Sequence, residues 1–333
     1  FRFCQHSNTP VLQYSNRLTF SPTKPLNADL AQRTRSLWLN ITMPEESWTV
    51  LKLLQWTTDY FQKNNVPEPR TSAEVLLAHV LGEDRLFLYL NYDRPMETSE
   101  LTAYRASIKR RLKGEPNQYI TGLQEFWSLP LRLSPDVLIP RPETEVLVQA
   151  VLEFLAEAEP TVDILDLGTG SGAIAIALAR ELPAARIVAT DLSMAALRLA
   201  KENATLNQID ERISFVRGDM FAAIPGGSQK FTAVVTNPPY VSDAEILELP
   251  REIRDFEPHH ALEGGPDGLA VIRRIIAEAP TVLSPAGALF MEIGANQAER
   301  VSALVKDSQR YKSDRIIKDY SGLDRVLVAL KKG

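Results

Sequence analysis

The composition of the chain is that of a globular protein. It has 333 residues, of which 44% are hydrophobic and 24% are charged, and a net charge of −5. No apolar run approaches the roughly 18 residues that cross a bilayer, and the acidic balance argues against a protein that holds nucleic acid by bulk charge. The length allows two domains or one large domain.

Cysteine and histidine usage excludes two further kinds of site. The single cysteine, Cys4, cannot form a disulfide framework or a thiolate metal cluster. The histidines show no metal-ligand spacing: His6, His79, His259 and His260. We therefore expect no metal site.

Residues 1–42 differ in composition from the rest of the chain. They are rich in Ser, Thr, Asn and Pro, and they carry five basic residues and one acid. This composition is typical of an organellar transit peptide, and equally of a translated leader upstream of a start at Met43. Both interpretations predict a disordered extension outside the fold. A cytoplasmic location is expected, or an organellar one if the segment is a transit peptide.

Residues 43–115 show helical periodicity and predict a small helical bundle. Thr71 or Ser72 is the expected N-cap of one helix, which Gly82 ends. His79 falls on the apolar side and is expected in the core. A basic run near the end of the segment is expected to be a solvated helix face: Lys109, Arg110, Arg111 and Lys113.

Residues 116–141 predict a β-hairpin linker, because short apolar and aromatic runs replace the helical pattern between Tyr119 and Leu133. Residues 142–333 then alternate strand and helix, starting with a helix at Pro142. The predicted strands are 163–168, 186–190, 212–216, 231–236, 287–294 and 324–330. This alternation predicts an α/β domain with a doubly wound, mostly parallel sheet.

The stretch "DLGTGSG" joins a predicted strand to a predicted helix. Gly168, Gly170 and Gly172 permit a tight turn and close approach of a ligand. Together with Thr169 and Ser171 they open the next helix, whose free N–H groups favour a carboxylate or phosphate. The loop predicts an adenosine-containing ligand, although a tight turn without a ligand has the same pattern. Its spacing, G-x-G-x-G, departs from the dinucleotide fingerprint.

Two further strand ends carry acids. Asp191 ends the second strand, where a carboxylate can accept hydrogen bonds from ribose hydroxyls. This does not separate NAD from S-adenosylmethionine, and Asp191 could instead cap the next helix, with Ser193 sharing that role. Asp219 and Met220 end the third strand and suit the amino edge and the face of adenine, although a plain turn is an alternative.

The stretch "VVTNPPY" ends the fourth strand at a polar amide followed by two prolines. The carbonyl oxygen of Asn237 and the backbone carbonyl of Pro238 could accept both N–H groups of a planar amide or aromatic amine. Pro238 and Pro239 stiffen the loop, and Tyr240 could lie against the planar group. We interpret this stretch as a clamp that positions a weak nucleophile.

These motifs resemble the class I S-adenosylmethionine-dependent methyltransferases that modify planar amino groups. The blocks "QYITGLQEFWSLPLRLSPDVLIPRPETE" (118–145) and "FEPHHALEGGPDGLAVIRRII" (256–276) are similar to the protein-(glutamine-N5) methyltransferases of peptide chain release factors, the PrmC/HemK family. The resemblance covers about residues 46–331. The chain departs from it at Met220, where some members carry tryptophan, and in the extension 1–42.

The resemblance implies a cofactor, a substrate and roles for residues. S-adenosyl-L-methionine would contact the loop 168–172, Asp191, Met220 and Asn237, with Asp219 added by our own interpretation. The stretch 237–240 would hold the glutamine of a Gly-Gly-Gln loop in a class 1 release factor. The helical region 43–115 would dock that factor, and no nucleic acid or membrane partner is expected.

Several other functions share part of this pattern. A glutamine methyltransferase acting on a ribosomal protein would differ only in its partner. A DNA or RNA adenine-N6 methyltransferase shares "NPPY" but needs a basic or aromatic recognition surface. A nicotinamide dehydrogenase or a non-enzymatic adenosine-binding module would share the glycine loop and leave "NPPY" unexplained.

Overall fold

The computed structural model describes residues 48–156, 161–224 and 230–333. The predicted extension 1–42 and the proposed start at Met43 lie outside the described residues. Within the three described ranges, no helix is both long enough and apolar enough to cross a membrane.

Helices fill the first part of the described chain, as the periodicity predicts. They are α1 Val50–Lys63, α2 Pro69–Leu81, α3 Arg85–Leu90, α4 Thr98–Leu112 and α5 Asn117–Thr121. The hydroxyl of Thr49 caps α1 by accepting a hydrogen bond from the Lys52 amide. Tyr104 of α4 is fully buried, and its hydroxyl donates to the Ala73 carbonyl of α2 at 2.9 Å. This bond joins two helices at the centre of the bundle.

The start of α2 differs from the sequence-based expectation. The helix begins at Pro69, after Glu68 in a left-handed conformation with φ 46°, so neither Thr71 nor Ser72 is its N-cap. The physical reason is that proline has a suitable fixed φ and lacks the N–H that a first-turn residue leaves unpaired. The Ser72 hydroxyl instead donates to the Pro67 carbonyl at 3.2 Å.

Two side chains of the bundle are placed opposite to their predicted environments. His79, predicted in the core, is exposed. Arg111, predicted on a solvated face, is only 4% exposed and forms an ion pair with Glu252. Lys109, Arg110 and Lys113 are less buried, so the expectation of a solvated face fails only at Arg111.

The predicted hairpin is present and is shorter than its sequence pattern. Its strands are β1 Leu123–Phe126 and β2 Leu129–Arg132, and they pair antiparallel. Trp127 and Ser128 form the turn with φ of 54° and 56°, which suits the twist of a two-residue hairpin loop. The run "YITG", predicted as extended, instead lies mostly in α5 and ends at Gly122.

Seven strands form the main sheet in the spatial order β5-β4-β3-β6-β7-β9-β8. Their bounds are β3 Asp163–Leu167, β4 Arg186–Asp191, β5 Ile213–Arg217, β6 Phe231–Thr236, β7 Leu283–Glu292, β8 Tyr311–Lys318 and β9 Asp324–Lys331. Strands β3 to β7 are parallel, and β9 pairs antiparallel with β7 and β8. This architecture confirms the predicted α/β fold.

Strand β8 was not predicted from the sequence. It lies at the edge of the sheet and pairs only with β9 among the described strands. Most of its side chains, in "YKSDRIIK", are exposed or half-buried. An edge strand of this kind lacks the regular apolar alternation that identifies a strand in sequence.

Helices cover both faces of the sheet. Their bounds are α6 Glu145–Leu155, α7 Ala173–Glu181, α8 Met194–Leu206, α9 Asp243–Ile246, α10 Arg251–Arg254, α11 Ala270–Val282 and α12 Ala298–Ser308. Ile164 and Phe290 pack with α6 and α7, whereas the adjacent Leu165 and Leu289 pack with α11 and α12. Successive strand residues point to opposite faces, so the sheet is buried on both sides. The loops at its carboxyl edge are left to form a site.

Candidate active site

A cavity of about 300 Å³ lies at the carboxyl ends of β3, β4 and β6. Strand β3 has β4 on one side and β6 on the other, so the order of strands reverses here. In open α/β sheets, ligands bind in the crevice at such a reversal. The cavity therefore lies where the fold favours a ligand.

The glycine loop forms one wall of the cavity. Gly168, Gly170 and Gly172 have φ of 71°, 55° and 84°, a conformation that favours glycine. A Cβ at Gly168 or Gly170 would meet no atom within 4 Å, whereas a Cβ at Gly172 would lie 3.0 Å from Ile176 Cδ1 and 3.1 Å from Ala200 Cβ. The first two glycines therefore leave space beside the backbone, and the third allows α7 and α8 to pack closely.

Polar side chains beneath the loop hold its shape. The Thr169 hydroxyl donates to Asp166 Oδ2 at 2.7 Å, and Asn203 Nδ2 donates to the Ser171 carbonyl at 2.9 Å. Asn203 also exchanges two hydrogen bonds with the backbone of Arg132 in β2. The hairpin and the glycine loop are thus joined through one buried amide. Burial raises the pKa of Asp166 to about 7.

The Asp191 carboxylate bridges the glycine loop and the start of α8. Its Oδ2 accepts from the Gly170 amide at 2.9 Å and its Oδ1 from the Ser193 amide at 2.8 Å. Ser193 caps α8, since its hydroxyl oxygen accepts from the Ala196 amide at 3.2 Å. Asp191 lines the cavity, and each oxygen keeps a lone pair for a further donor. The carboxylate therefore has the capacity to accept from a pair of ribose hydroxyls.

Asp219 and Met220 follow β5 and also line the cavity. Both oxygens of Asp219 lie 3.1 Å from Arg274 Nη1. Met220 has φ 50° and packs against the core on the α11 side of the sheet. Any contact of Asp219 with an adenine amino group would share the carboxylate with this ion pair.

Asn237 lies directly after β6 and is half-buried in the cavity wall. Its Nδ2 donates to the Thr144 hydroxyl oxygen at 3.3 Å. The Thr144 hydroxyl in turn donates to Glu292 Oε2 at 2.6 Å. The "IPRPETE" block and the end of β7 therefore support the asparagine from behind.

Glu292 is 1% exposed at the end of β7. Burial raises the pKa of this carboxyl group above its ordinary value, while the hydrogen bond from Thr144 and the positive charge of Arg325 act in the opposite direction. Its second oxygen, Oε1, accepts from the Tyr240 hydroxyl at 3.2 Å. The carboxylate thus connects both polar side chains of "NPPY".

Tyr240 is half-buried and does not line the cavity. Its ring packs against the core beneath α11, and its backbone carbonyl accepts from Gln297 Nε2 at 2.9 Å. Burial raises the pKa of the Tyr240 hydroxyl above its usual range. A Cβ at Gly268 would lie 2.5 Å from the Tyr240 carbonyl oxygen, so the "GPDGL" stretch needs a glycine to pack there.

The two blocks that carry the family resemblance meet beside the cavity. Glu257, in "FEPHHAL", accepts from the Ile139 amide at 3.1 Å and forms an ion pair with Arg141. The Glu257 side chain is only 1% exposed. This buried carboxylate fixes the "IPRPETE" loop, which contributes Pro140 and Thr144 to the cavity wall.

The predicted site residues fall into two groups in the structure. The cavity wall contains Gly168, Thr169, Gly170, Ser171, Asp191, Asp219, Met220, Asn237, Pro238 and Pro239. Gly172 and Tyr240 are not part of this wall: the former packs between helices and the latter bonds to Glu292. The stacking of Tyr240 against a planar group stays a prediction; in the structure its hydroxyl donates to the buried Glu292.

Sequence reasoning missed Thr144, Glu257 and Glu292. Glu292 had the signal that singled out Asn237, a polar residue at the end of an apolar strand, here in "ALFMEIG". Thr144 and Glu257 lie in blocks quoted for the resemblance, but nothing local shows that these side chains are buried. Their partners are 148 and 118 positions away in the chain.

The fold and site define the chain as a methyltransferase. A family sequence model described as "Methyltransferase small domain" matches residues 143–253, and one described as "PrmC N-terminal domain" matches residues 52–122. S-adenosylmethionine is the general methyl donor of this fold, and the open space at Gly168 and Gly170 beside the Asp191 carboxylate fits such a group.

Relatives define the family more narrowly. The release factor glutamine methyltransferase of Rhodopirellula baltica is 38% identical over 86% of this chain and 97% of its own. That of Geobacter sulfurreducens is 41% identical over 86% of this chain and 98% of its own. The chain belongs to the release factor glutamine methyltransferase family.

One of the solved structures that match this chain is that of the release factor-specific protein-(glutamine-N5) methyltransferase from Alicyclobacillus acidocaldarius. It is 30% identical, covers 61% of this chain and 100% of its own, and has a TM-score of 0.36.

Proposed function

We propose that this protein methylates the side-chain amide nitrogen of the glutamine in the Gly-Gly-Gln loop of a class 1 peptide chain release factor, and so modulates translation termination. The observation that carries the proposal is the supported amide of Asn237 at the end of β6. Its Nδ2 is hydrogen-bonded to Thr144, so its Oδ1 can accept a hydrogen bond from the N–H of a substrate amide in the cavity. We propose the cytoplasm, or an organelle that makes such factors, as the place of action.

The cofactor would be held by the loop 168–172 and by Asp191. S-adenosyl-L-methionine supplies a methyl group on a positively charged sulfur. The loop would accommodate the part of the cofactor nearest the backbone, and Asp191 would accept hydrogen bonds from the ribose hydroxyls. Met220 and Asp219 would lie along the adenine.

The acceptor would be positioned by "NPPY". An amide nitrogen is a weak nucleophile because its lone pair is delocalised into the carbonyl group. Asn237 Oδ1 and the Pro238 carbonyl would accept its two N–H groups and fix the nitrogen toward the methyl carbon. In the transfer, the nitrogen–carbon bond would form as the carbon–sulfur bond of the donor breaks, and the nitrogen would release one proton to solvent. No histidine is required as a base.

The helical region 43–115 would dock the release factor. A three-residue loop offers little contact area, so the remaining affinity must come from the body of the factor. The ion pair of buried Arg111 with Glu252 joins α4 to α10 of the methyltransferase domain, which supports a fixed geometry between docking surface and site.

A comparison of acceptors tests the proposal. The protein is incubated with S-adenosylmethionine and, separately, an intact class 1 release factor, a free peptide containing Gly-Gly-Gln, total ribosomal proteins and adenine-containing DNA. We expect efficient transfer to the intact factor, slow transfer to the peptide and none to DNA. Preferred transfer to a ribosomal protein would show that the ribosomal protein, and not a release factor, is the substrate. Transfer to adenine would overturn the assignment to glutamine.

A further inference from the structure

Four side chains, two of them buried and two half-buried, form a directed series of hydrogen bonds behind the acceptor site. Glu292 accepts from Thr144 at Oε2, 2.6 Å, and from Tyr240 at Oε1, 3.2 Å. Asn237 Nδ2 lies 3.3 Å from the Thr144 hydroxyl oxygen. Within the described chain, these bonds join the loop before α6, the loop after β6 and the end of β7.

The direction of the series follows from the number of protons available. A threonine hydroxyl has one proton, and Thr144 donates it to the carboxylate of Glu292. The Thr144 oxygen can then only accept from Asn237. The atom of the amide that faces Thr144 must therefore be Nδ2, and Oδ1 must face the cavity.

This direction matters because the two ends of an asparagine amide are nearly equal in size. A reversed amide would present N–H groups to the N–H groups of an incoming substrate amide, which repel one another. An acceptor amide can bind with its nitrogen toward the site only when Oδ1 is turned outward. Local shape alone does not select this orientation, whereas a hydroxyl that can only accept does.

We infer that Glu292 and Thr144 are positioning residues for the transfer, and that they fix the Asn237 amide with its oxygen toward the acceptor. The inference rests on the proposed function and assigns a role in it to two residues that do not touch the reacting atoms. Glu292 acts through Thr144 on Asn237, and through the hydroxyl of Tyr240 on the same loop.

The cost of burying Glu292 argues against a purely structural role. A carboxylate that is 1% exposed is expensive to desolvate, and an apolar side chain would pack a strand end at lower cost. Arg325 contributes positive charge nearby, but its guanidinium hydrogen bonds go to Asp319 and the Ile293 carbonyl. Glu143 adds a further negative charge in the vicinity.

The test compares Thr144→Val, Thr144→Ser and Glu292→Gln with the wild type. Valine keeps the shape of threonine without the hydroxyl, serine keeps the hydroxyl, and glutamine replaces an acceptor-only group with one that also donates. Steady-state methylation of the intact release factor gives kcat and KM, calorimetry gives the affinity for S-adenosylmethionine, and thermal unfolding reports folding.

We expect Thr144→Val and Glu292→Gln each to lower kcat about ten- to a hundredfold, with KM and cofactor affinity within about threefold of wild type. Thr144→Ser should retain most of kcat. The double variant Thr144→Val/Glu292→Gln should be no slower than the slower single variant, because both changes interrupt one series.

Two results would overturn the inference alone: an active wild type with an equally active Thr144→Val, or a folded Thr144→Ser that is as slow as Thr144→Val. A wild type that binds S-adenosylmethionine but methylates no glutamine would overturn the proposed function, and the inference with it. The two failures are therefore distinguishable.

Discussion

Arg111 and Glu252 form an ion pair, with 2.6 Å between Nη1 and Oε2, that joins the helical bundle to α10. The arginine side chain is 4% exposed and the glutamate 29%. Arg111 also donates to the Glu115 carbonyl at 3.0 Å and to the Ser72 hydroxyl oxygen at 3.3 Å. The pair therefore fixes the orientation of the proposed docking helices relative to the site.

Removal of this pair should weaken folding and use of the intact substrate. We expect Glu252→Ala to lower the free energy of unfolding by about 1–3 kcal/mol, below the full cost for a buried pair because the glutamate is partly exposed. KM for the intact factor should rise, while turnover of a free Gly-Gly-Gln peptide stays unchanged. Lys113→Ala, at an exposed position close by, is the control. Equal effects on factor and peptide would argue against a role in docking.

The role of Asp191 can be separated from that of the helix cap beside it. Asp191→Ala should weaken S-adenosylmethionine binding by about 1–3 kcal/mol, because hydrogen-bonding groups of the ligand and of Gly170 lose their acceptor. Ser193→Ala removes the cap of α8 and should lower stability by about 1 kcal/mol without changing that affinity. Calorimetry and urea unfolding measure the two effects. An unchanged affinity for Asp191→Ala would leave this carboxylate a structural role only.

We expect position 268 to require glycine for two reasons, the close approach of the Tyr240 carbonyl oxygen and the positive φ. Gly268→Ala places a Cβ 2.5 Å from the Tyr240 carbonyl oxygen at φ +73°, whereas Gly322→Ala has φ +79° and meets nothing within 4 Å. Both variants incur about 1–2 kcal/mol of backbone strain. We expect only Gly268→Ala to lose more stability than this backbone strain accounts for. The same variant should lower kcat, because the added Cβ displaces the "NPPY" loop. Similar unfolding curves and kcat values for the two variants would contradict the expectation.

The raised pKa of Asp166 predicts a specific pH dependence of the free energy of unfolding. Burial raises its pKa from 3.8 to about 7, so the native state binds a proton that the unfolded state has released. Its contribution to stability is present below about pH 3.8 and is lost as the pH rises through about 7. Relative to Asp166→Asn, the wild type should lose stability between pH 5 and pH 8, by on the order of a few kcal/mol at most. Urea unfolding at several pH values measures this, and parallel profiles for the two proteins would contradict it.

The sequence was sufficient to predict the parallel sheet, because the central strands are apolar runs flanked by turn residues. It failed where burial depends on distant partners. Arg111 lies in a basic run that predicts a solvated face, yet its side chain is buried and forms an ion pair with Glu252. His79 follows the apolar spacing of α2 but is exposed in the structure. Edge strand β8 lacks the apolar alternation that buried neighbours impose on a strand.

The candidate site shows the same division. Asn237, Asp191 and the glycine loop were predicted because strand ends of a parallel sheet converge at one edge. Thr144 was not predicted, since its burial depends on a partner 148 positions away, and Glu292 was missed although it ends an apolar strand as Asn237 does. Tyr240 was expected to lie against the planar group of the substrate, which stays a prediction, and the structure adds a hydrogen bond from its hydroxyl to the buried Glu292.

The central claim is that the Asn237 amide positions a glutamine of the release factor for methylation. Tandem mass spectrometry of the intact factor, after incubation with S-adenosylmethionine and either the wild type or Asn237→Ala, tests it most directly. We expect one added methyl group on the glutamine of the Gly-Gly-Gln loop with the wild type, and almost none with Asn237→Ala, although that variant still binds the cofactor. An unmodified glutamine with the wild type, or normal methylation by Asn237→Ala, would contradict the claim.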